Sequence, residues 1–213
     1  MKEPEFTPIP EVVEALKRGR QIVLVDDQNR ENEGDLVAAA EHVTPETVNF
    51  MLVHGRGILC LAMAGGEIDR LGLRPLESTP RDRLGTAWHT PIDVRLGIST
   101  GTSAGDRATT IRAAADPRTS PADFVCGHVQ TLRAVEGGVL VRAGHTEGAV
   151  DLMRIAGLRP LAAICEIMKP DGEMARLAEL TEFARAHGLP IASVADLIGY
   201  RRTKERLIAF ESG

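Results

Sequence analysis

Residues 21–40 have the sequence Gln-Ile-Val-Leu-Val-Asp-Asp-Gln-Asn-Arg-Glu-Asn-Glu-Gly-Asp-Leu-Val-Ala-Ala-Ala, in which two apolar runs flank an acidic one. The first run, 21–25, is short and ends in charge, which is typical of a buried strand. Residues 36–40 predict a second strand. The acidic loop between them, residues 26–35, carries five carboxylates and a single arginine. The stretch therefore predicts two strands joined by a loop of ionisable groups.

Helix and strand signals alternate along the rest of the chain. Thr44 followed by Pro45 predicts a helix start, and Gly157 and Gly188 stand where helices are expected to end. The predicted helices are 10–19, 44–55, 106–115, 147–156, 177–187 and one that opens at 193–196. The other predicted strands are 57–63, 92–98, 138–142, 161–168 and 189–192, with an ordered excursion at 73–90 and a loop at 117–127. This alternation predicts a layered α/β fold, and residues 1–213 are expected to form a single domain.

The composition argues against several classes of protein. A net charge of −5 and a pI near 5.7 disfavour a nucleic-acid binder. The three cysteines lie far apart without a Cys-x-x-Cys pair, so neither a disulfide framework nor a structural zinc site is indicated. No signal-peptide pattern opens the chain, and no apolar window is long enough to span a membrane. We expect a soluble, cytoplasmic protein with no nucleic-acid or membrane partner.

The acidic loop is the first candidate site. Five crowded carboxylates repel one another unless water, Arg30 or a cation compensates. Hard divalent cations such as Mg²⁺ prefer carboxylate oxygens of this kind. If the segment is extended, Glu31, Glu33 and Asp35 share one face, and Gly34 indicates close approach of a ligand. The alternative interpretation is a hydrated surface loop.

A second candidate lies in residues 137–146, where a predicted strand leads through a glycine turn into a helix. A helix N-terminus presents unpaired N–H groups that suit a phosphate. Arg142 offers a bidentate contact, and Thr146 a hydroxyl for capping or phosphate binding. His145 is a candidate metal ligand or acid/base group. The alternative is an ordinary helix cap beside a surface histidine.

Three weaker signals complete the set. Residues 99–107 are rich in glycine and hydroxyls and precede a helix, so they offer phosphate contacts, although Ser103 or Asp106 would serve equally as an ordinary N-cap. His128 lies just before an apolar strand. Glu166 ends a buried strand, where desolvation suits a carboxylate to acid/base work, the alternative being an exposed strand end.

Together these segments resemble a known family, 3,4-dihydroxy-2-butanone 4-phosphate synthase of riboflavin biosynthesis, over residues 9–206. The longest motifs are Asp-Asp-x-x-Arg-Glu-Asn-Glu-Gly-Asp at 26–35 and Gly-Val-Leu-x-Arg-x-Gly-His-Thr-Glu at 138–147. The shorter ones are Thr-Gly-x-Ser-Ala-x-Asp-Arg at 100–107, Gly-His-Val at 127–129, Cys-Glu-Ile at 165–167 and Asp-Gly-x-Met-Ala-Arg at 171–176. The order of all these motifs along the chain makes the resemblance far more specific than any one of them.

The resemblance implies a lyase that converts D-ribulose 5-phosphate to formate and L-3,4-dihydroxy-2-butanone 4-phosphate through a metal-stabilised enediolate, with Mg²⁺ or Mn²⁺ as cofactor. It also implies a homodimer with active sites near the interface. The implied fold is a three-layer α/β (α+β) sandwich in which helices flank a mixed β-sheet.

Residue roles follow from the matching motifs. Glu31 and His145 are the implied metal ligands, and His128 and Glu166 occupy the positions implied to be essential for catalysis. Glu33 and Asp35 are both candidates for the first proton abstraction, and the choice between them stays open. The implied substrate-binding residues are Arg30, Glu31, Asp35, Thr100, Arg142, Ala143, Gly144, His145, Thr146 and Glu166.

The chain also departs from the family pattern. Ser78 stands where an Asn is usual, and Trp88-His89 where Phe-Thr is expected, in a loop about two residues longer than usual. Gln130-Thr131 replaces Phe-Pro. One rival hypothesis is therefore a catalytically inactive domain that binds a sugar phosphate or a metal. Another is one half of a bifunctional protein fused to a GTP cyclohydrolase II-like domain.

Overall fold

A computed structural model describes residues 6–76 and 84–204 of the chain. Its centre is a mixed sheet of eight strands. In chain order they are β1 (Ile22–Val25), β2 (Gly34–Ala39), β3 (Cys60–Met63), β4 (Trp88–Val94), β5 (Phe124–Cys126), β6 (Val129–Arg133), β7 (Leu161–Glu166) and β8 (Ile191–Ser193). In space the order is β5-β4-β6-β3-β7-β2-β1-β8. The pairs β1–β8 and β3–β6 are parallel, and the others are antiparallel.

Helices cover both faces of this sheet. They are α1 (Ile9–Lys17), α2 (Pro45–Phe50), α3 (Gly65–Arg70), α4 (Ala104–Ala115), α5 (His145–Ala156), α6 (Leu177–His187) and α7 (Val194–Lys204). Short turns of 3₁₀ or π helix lie at Ala40–His42, Met51–Gly55, Pro121–Asp123 and Gly138–Leu140. No helix among the described residues has both the length and the apolar character needed to cross a bilayer.

Two hydrophobic cores separate the layers. Successive residues of a strand point to opposite faces, so Leu36 of β2 joins one core and Val37 the other. The first core contains apolar side chains of α2, α3, α4 and α6, and the second contains those of α1, α5 and α7. The predicted three-layer α/β sandwich with a mixed sheet is confirmed.

Several local predictions are confirmed by the caps. Thr44 accepts a hydrogen bond from Thr47 N, so it is the N-cap of α2 as its sequence indicated. Helix α6 has the predicted bounds, and Gly188 after it is left-handed with φ +61°. Gly157 closes α5 in the same way with φ +70°.

The predicted strand at 138–142 is wrong. Gly137 and Gly138 have φ values of +90° and +63°, which end any extended backbone, and a 3₁₀ turn follows. The N–H of Val139 donates to Asp151 Oδ2 at 2.8 Å, so a buried carboxylate from α5 fixes the turn. Helix α5 consequently begins at His145, two residues earlier than expected.

Three strands differ from the sequence prediction. The predicted loop at 117–127 contains the edge strand β5, paired with β4 through Ile92↔Cys126. Strand β4 begins at Trp88 and ends at Val94, where 92–98 was expected, because its first half pairs with β6 through Trp88↔Leu132. Strand β2 begins at Gly34, so Asp35 belongs to the sheet and not to the loop.

Candidate active site

The acidic loop is folded around the carboxylate of Asp26, whose side chain is fully buried at the end of β1. Its Oδ1 accepts the N–H of Glu33 at 2.9 Å, and its Oδ2 accepts the N–H of Glu31 at 3.0 Å. Arg30 Nη1 donates to the same Oδ2 at 2.9 Å. A hydrated surface loop would leave these groups in water, so that alternative is not supported.

Gly34 has a different neighbour from the predicted one. A methyl group at this position would lie 2.7 Å from Cδ1 of Leu180, so the close approach is to a core side chain of α6 and not to a ligand.

The N-terminus of α5 faces this loop. Gly144 is its N-cap, and a methyl group there would lie 2.5 Å from Arg142 Nη1 and 2.9 Å from Arg30 Nη2. Two guanidinium groups therefore converge on a glycine at the start of a helix. Glu147, in the first turn and 1% exposed, holds Arg142 through an ion pair. Both guanidinium groups are ion-paired, Arg142 with Glu147 and Arg30 with Asp26, so they bring hydrogen-bond donors to the point where helix N–H groups are unpaired.

His145 meets the acidic loop in the first turn of α5. Its Nδ1 lies 3.2 Å from Glu31 Oε2 and 4.0 Å from Asp35 Oδ1. Its Nε2 and the Oδ1 of Asp35 are buried without a hydrogen-bond partner. Such orphaned atoms normally require a partner from outside the chain. Burial alone lowers the pKa of His145, but the carboxylates of Asp35 and Glu31 outweigh it and raise that pKa to about 9.

A divalent cation fits this position. Ligand atoms of Asp26, Glu31 and His145 all lie within 4.8 Å of one another. Carboxylate oxygen and imidazole nitrogen are donors that Mg²⁺ and Mn²⁺ accept. Asp26 already accepts three hydrogen bonds, whereas Glu31 Oε2 has two partners, Arg30 Nη1 and His145 Nδ1.

Asp35 and Glu166 form a pair of carboxylates across β2 and β7, in direct register. Like charges opposite one another destabilise a sheet, so a functional reason for the pair is expected. Burial, reinforced by Glu166 and Glu31, raises the pKa of Asp35 to about 7 despite the opposing effect of His145. Burial and Glu31 also raise the pKa of Glu33. Glu166 Oε2 accepts the N–H of Ile58 at 2.7 Å, which fixes its orientation.

These groups share one cavity of about 190 Å³. It is lined by Arg30, Glu31, Glu33, Asp35, Cys60, Thr86, Trp88, Leu132, Arg142, His145, Thr146, Ile164 and Glu166. Of the departures from the family pattern, Trp88 lines this cavity, whereas His89 is buried with Nδ1 3.1 Å from Ala87 O. Ser78 lies outside the described residues.

Thr100 and His128 do not line the cavity of the same chain. His128 precedes β6, and β3 separates that strand from β7 and Glu166. Its Nδ1 lies 2.7 Å from Asp93 Oδ2, and its N–H donates to Asp93 Oδ1 at 3.0 Å. Thr100 is exposed, in a turn held by Asp106.

Sequence reasoning missed three supporting carboxylates: Asp26, Asp93 and Glu147. Asp26 and Glu147 lie within motifs that were recognised, and their position beside Arg30 and Arg142 was a usable signal. Asp93 sits alone in an apolar run, and only the pairing of β4 with β6 brings it to His128.

Comparison with known proteins gives a consistent result. A family model described as 3,4-dihydroxy-2-butanone 4-phosphate synthase matches residues 10–200. The riboflavin biosynthesis protein RibBA of Salinispora arenicola is 50% identical over 204 residues, which cover 95% of this chain and 49% of the relative. A 3,4-dihydroxy-2-butanone 4-phosphate synthase of Neisseria meningitidis serogroup B is 48% identical over 204 residues, with 95% and 56% covered.

A solved structure is also similar. It is a 3,4-dihydroxy-2-butanone 4-phosphate synthase in complex with two magnesium ions, with a TM-score of 0.90 at 39% identity over 95% of this chain and 100% of that one. The chain spans about half the length of the curated relatives that it matches.

Proposed function

The chain belongs to the 3,4-dihydroxy-2-butanone 4-phosphate synthase family, and on that premise we propose that it converts D-ribulose 5-phosphate to formate and L-3,4-dihydroxy-2-butanone 4-phosphate. One observation carries the proposal. A single cavity contains a carboxylate pair at Asp35 and Glu166, a candidate cation position at Glu31 and His145, and the guanidinium groups of Arg30 and Arg142. A ketose phosphate that loses and regains protons requires a proton-transfer group, a cation for the enediolate and donors for the phosphate.

The phosphate end of the substrate is assigned to the start of α5. Arg142 and Arg30 converge at Gly144, and the first N–H groups of the helix are unpaired. Thr146 adds a hydroxyl at the cavity wall, and Ala143 contributes backbone only. Because two arginines and a helix N-terminus are charge-assisted donors, they anchor a dianion and fix the direction of the carbon chain.

Proton transfer is assigned to Asp35, Glu33 and Glu166, and to His128 supplied by a second copy of the chain. Removal of the proton on carbon 3 gives an enediolate, and a carboxylate with a pKa near 7, as Asp35 has, is matched to that step near neutral pH. Bound Mg²⁺ or Mn²⁺, held by Glu31 and His145, would supply charge stabilisation for the enediolate oxygens. Loss of water, migration of carbon 5 from carbon 4 to carbon 3 and re-addition of water to the carbon 4 carbonyl then release carbon 4 as formate. These steps require an acid and a base that exchange protons, which the remaining carboxylates provide.

A homodimer is part of the proposal. Thr100 and His128 are exposed and outside the cavity of their own chain, so a second copy is needed to bring them to a substrate. Exposed apolar side chains lie on segments near them in the chain or in the sheet. Leu96 is 83% exposed in the turn before Thr100, Val125 is 39% exposed in β5, and Ile58 is 55% exposed two residues before β3, which pairs with β6. Exposed apolar side chains favour a protein–protein contact.

The experiment is incubation of purified protein with ribulose 5-phosphate and Mg²⁺, with formate assayed enzymatically. We expect formate and the four-carbon phosphate in equal amounts, and none after chelation with EDTA. Substrate binding without formate release would favour the rival of an inactive sugar-phosphate-binding domain. The rival of a bifunctional protein concerns sequence beyond this chain; the single domain of residues 1–213 and its cytoplasmic location stay predictions.

A further inference from the structure

Arg176 lies immediately before α6 and ends the motif at 171–176, which the proposed chemistry leaves without a role. Its Nη1 donates to two carbonyl oxygens of the acidic loop, Glu31 O at 2.9 Å and Asn32 O at 2.5 Å. The same nitrogen lies 3.9 Å from Glu33 Oε1. The guanidinium does not line the cavity, so it contacts the backbone of the acidic loop and is not placed to contact the substrate.

The backbone that Arg176 holds has an unusual conformation. Asn32 has φ +56°, and among the described residues it shares the left-handed region with only one other non-glycine residue, Arg56. Asn adopts this region more readily than most residues with a side chain, and Asp26 and Arg176 hold the backbone on either side of it. The turn at Asn32 separates Glu31, whose carboxylate lies beside His145, from Glu33, whose N–H is held by Asp26. The two sides of the turn are thus fixed by Asp26 and Arg176.

Arg176 is itself held in place. Its own N–H donates to Glu179 Oε2 at 3.0 Å, in the capping box that begins α6. Leu180, one turn further, is buried in the core against the sheet. The guanidinium therefore extends from a packed helix, and its hydrogen bonds to the carbonyls link the loop to that helix.

We propose that Arg176 is a positioning residue that holds the backbone of Glu31 and Asn32 so that the Glu31 carboxylate stays aimed at the cation position beside His145. The role rests on the proposed function only in taking Glu31 and His145 as the cation ligands. Partners that orient a ligand typically change metal affinity by about 10–100-fold when removed. Arg176→Ala should therefore weaken cation binding about tenfold or more while α6 remains folded.

The test measures Mn²⁺ binding by the loss of its free-ion electron paramagnetic resonance signal, without substrate. Wild type, Arg176→Ala, Arg176→Lys and the matched control Arg185→Ala, an exposed arginine on the same helix, are compared. We expect the affinity to fall in Arg176→Ala, to recover in part in Arg176→Lys or with added ethylguanidinium, and to stay unchanged in Arg185→Ala. Hydrogen exchange at the amides of Glu31 and Glu33 should accelerate in Arg176→Ala alone.

Two results would overturn the proposal. One is Mn²⁺ affinity in Arg176→Ala equal to wild type. The other is an equal loss in Glu179→Ala, which would assign the effect to the cap of α6 and not to the guanidinium. Formate release by wild type, assayed in parallel, tests the proposed function separately, since Mn²⁺ binding is measured without turnover.

Discussion

Glu31 and His145 meet at one point although 114 positions separate them in the sequence. Each supplies what the other lacks, because a carboxylate beside an imidazole gives a divalent cation both charge and a nitrogen donor. Around them the buried atoms Asp35 Oδ1 and His145 Nε2 have no partner in the chain. The chemistry of the site is therefore set by a few side chains whose burial would be unfavourable without a ligand.

Substitution of either proposed ligand should abolish turnover. Glu31→Gln keeps the size of the side chain and removes its charge, and His145→Ala removes the nitrogen donor. We expect formate release to fall at least 100-fold in both, with far-UV circular dichroism unchanged. Glu11→Gln, an exposed carboxylate on α1, is the control. Near-full activity in either ligand variant would contradict the metal assignment.

Asp93 should act through His128. Both of its oxygens bind that residue, one the ring nitrogen and one the N–H, so it sets the orientation and tautomer of the imidazole. Asp93→Asn should lower kcat about 10–100-fold with little change in KM, and it should shift the pH–rate profile. Asp69→Asn, which alters only a surface pair with Arg133, should leave both constants unchanged. An unaltered pH–rate profile in Asp93→Asn would argue against this role.

At the scale of elements, the ends of strands and helices carry the site. Strand β7 ends at Glu166, β2 begins beside it, and α5 begins at His145. Gly57 packs against the end of β7 so closely that a methyl group there would overlap the Glu166 carboxylate and lie 2.7 Å from its carbonyl oxygen. Residue 57 must therefore be a glycine if the Glu166 carboxylate is to keep this position.

Gly57→Ala should lower both stability and activity. Crowding of a packed position costs about 1–3 kcal/mol, and displacement of Glu166 should reduce kcat about tenfold or more. The control is Gly199→Ala in α7, where a methyl group meets nothing within 4 Å. That change should raise the free energy of unfolding by about 0.5–1 kcal/mol through helix propensity. Urea denaturation measures both, and equal stabilities for the two variants would contradict the packing argument.

The turn before α4 should lose its stabilisation in acid. Asp106 accepts hydrogen bonds from the hydroxyl and N–H of Ser99 and from the N–H of Gly101, and these bonds lower its pKa from 3.8 to about 2. Because the pKa of Asp106 is lower in the folded chain than in the unfolded chain, its carboxylate stabilises the fold at any pH above the unfolded pKa. This stabilisation is lost as the pH falls toward the folded pKa. The urea midpoints of wild type and Asp106→Asn should therefore converge between pH 4 and pH 2. If the difference between the two urea midpoints stayed constant over that pH range, the stabilisation by Asp106 would come from packing and not from its charge.

The accuracy of the sequence prediction also varied by element. Helix α6 was predicted to the residue because its apolar spacing and Gly188 are local signals. The run at 138–142 was predicted as a strand from its own apolar residues. It is a turn because Val139 N donates to the carboxylate of Asp151, which lies in α5 and gives no signal within the run itself. Among the proposed site residues, motifs singled out Glu31 and His145, whose side chains lie 3.2 Å apart. Asp93 had no motif, since strand pairing alone places it beside His128.

At the scale of the whole molecule, the proposed function requires residues that one chain does not bring together. The cavity contains the proposed cation position and the N-terminus of α5, whereas His128 and Thr100 are exposed and do not line it. If a symmetric dimer pairs the cavity of one chain with His128 of the other, two inactive variants should complement each other. His145→Ala damages the cavity, and His128→Ala damages the contributed residue.

Coexpression of His145→Ala and His128→Ala should restore activity that neither has alone. With random pairing, half of the dimers are mixed, and each mixed dimer contains one intact site, so about a quarter of wild-type formate release is expected. Coexpression of His145→Ala with Glu31→Gln is the matched control, because both changes damage the cavity and no pairing yields an intact site. If the His145–His128 mixture were as inactive as this control while mixed dimers were recovered by differential tagging, His128 would act within its own chain or not at all.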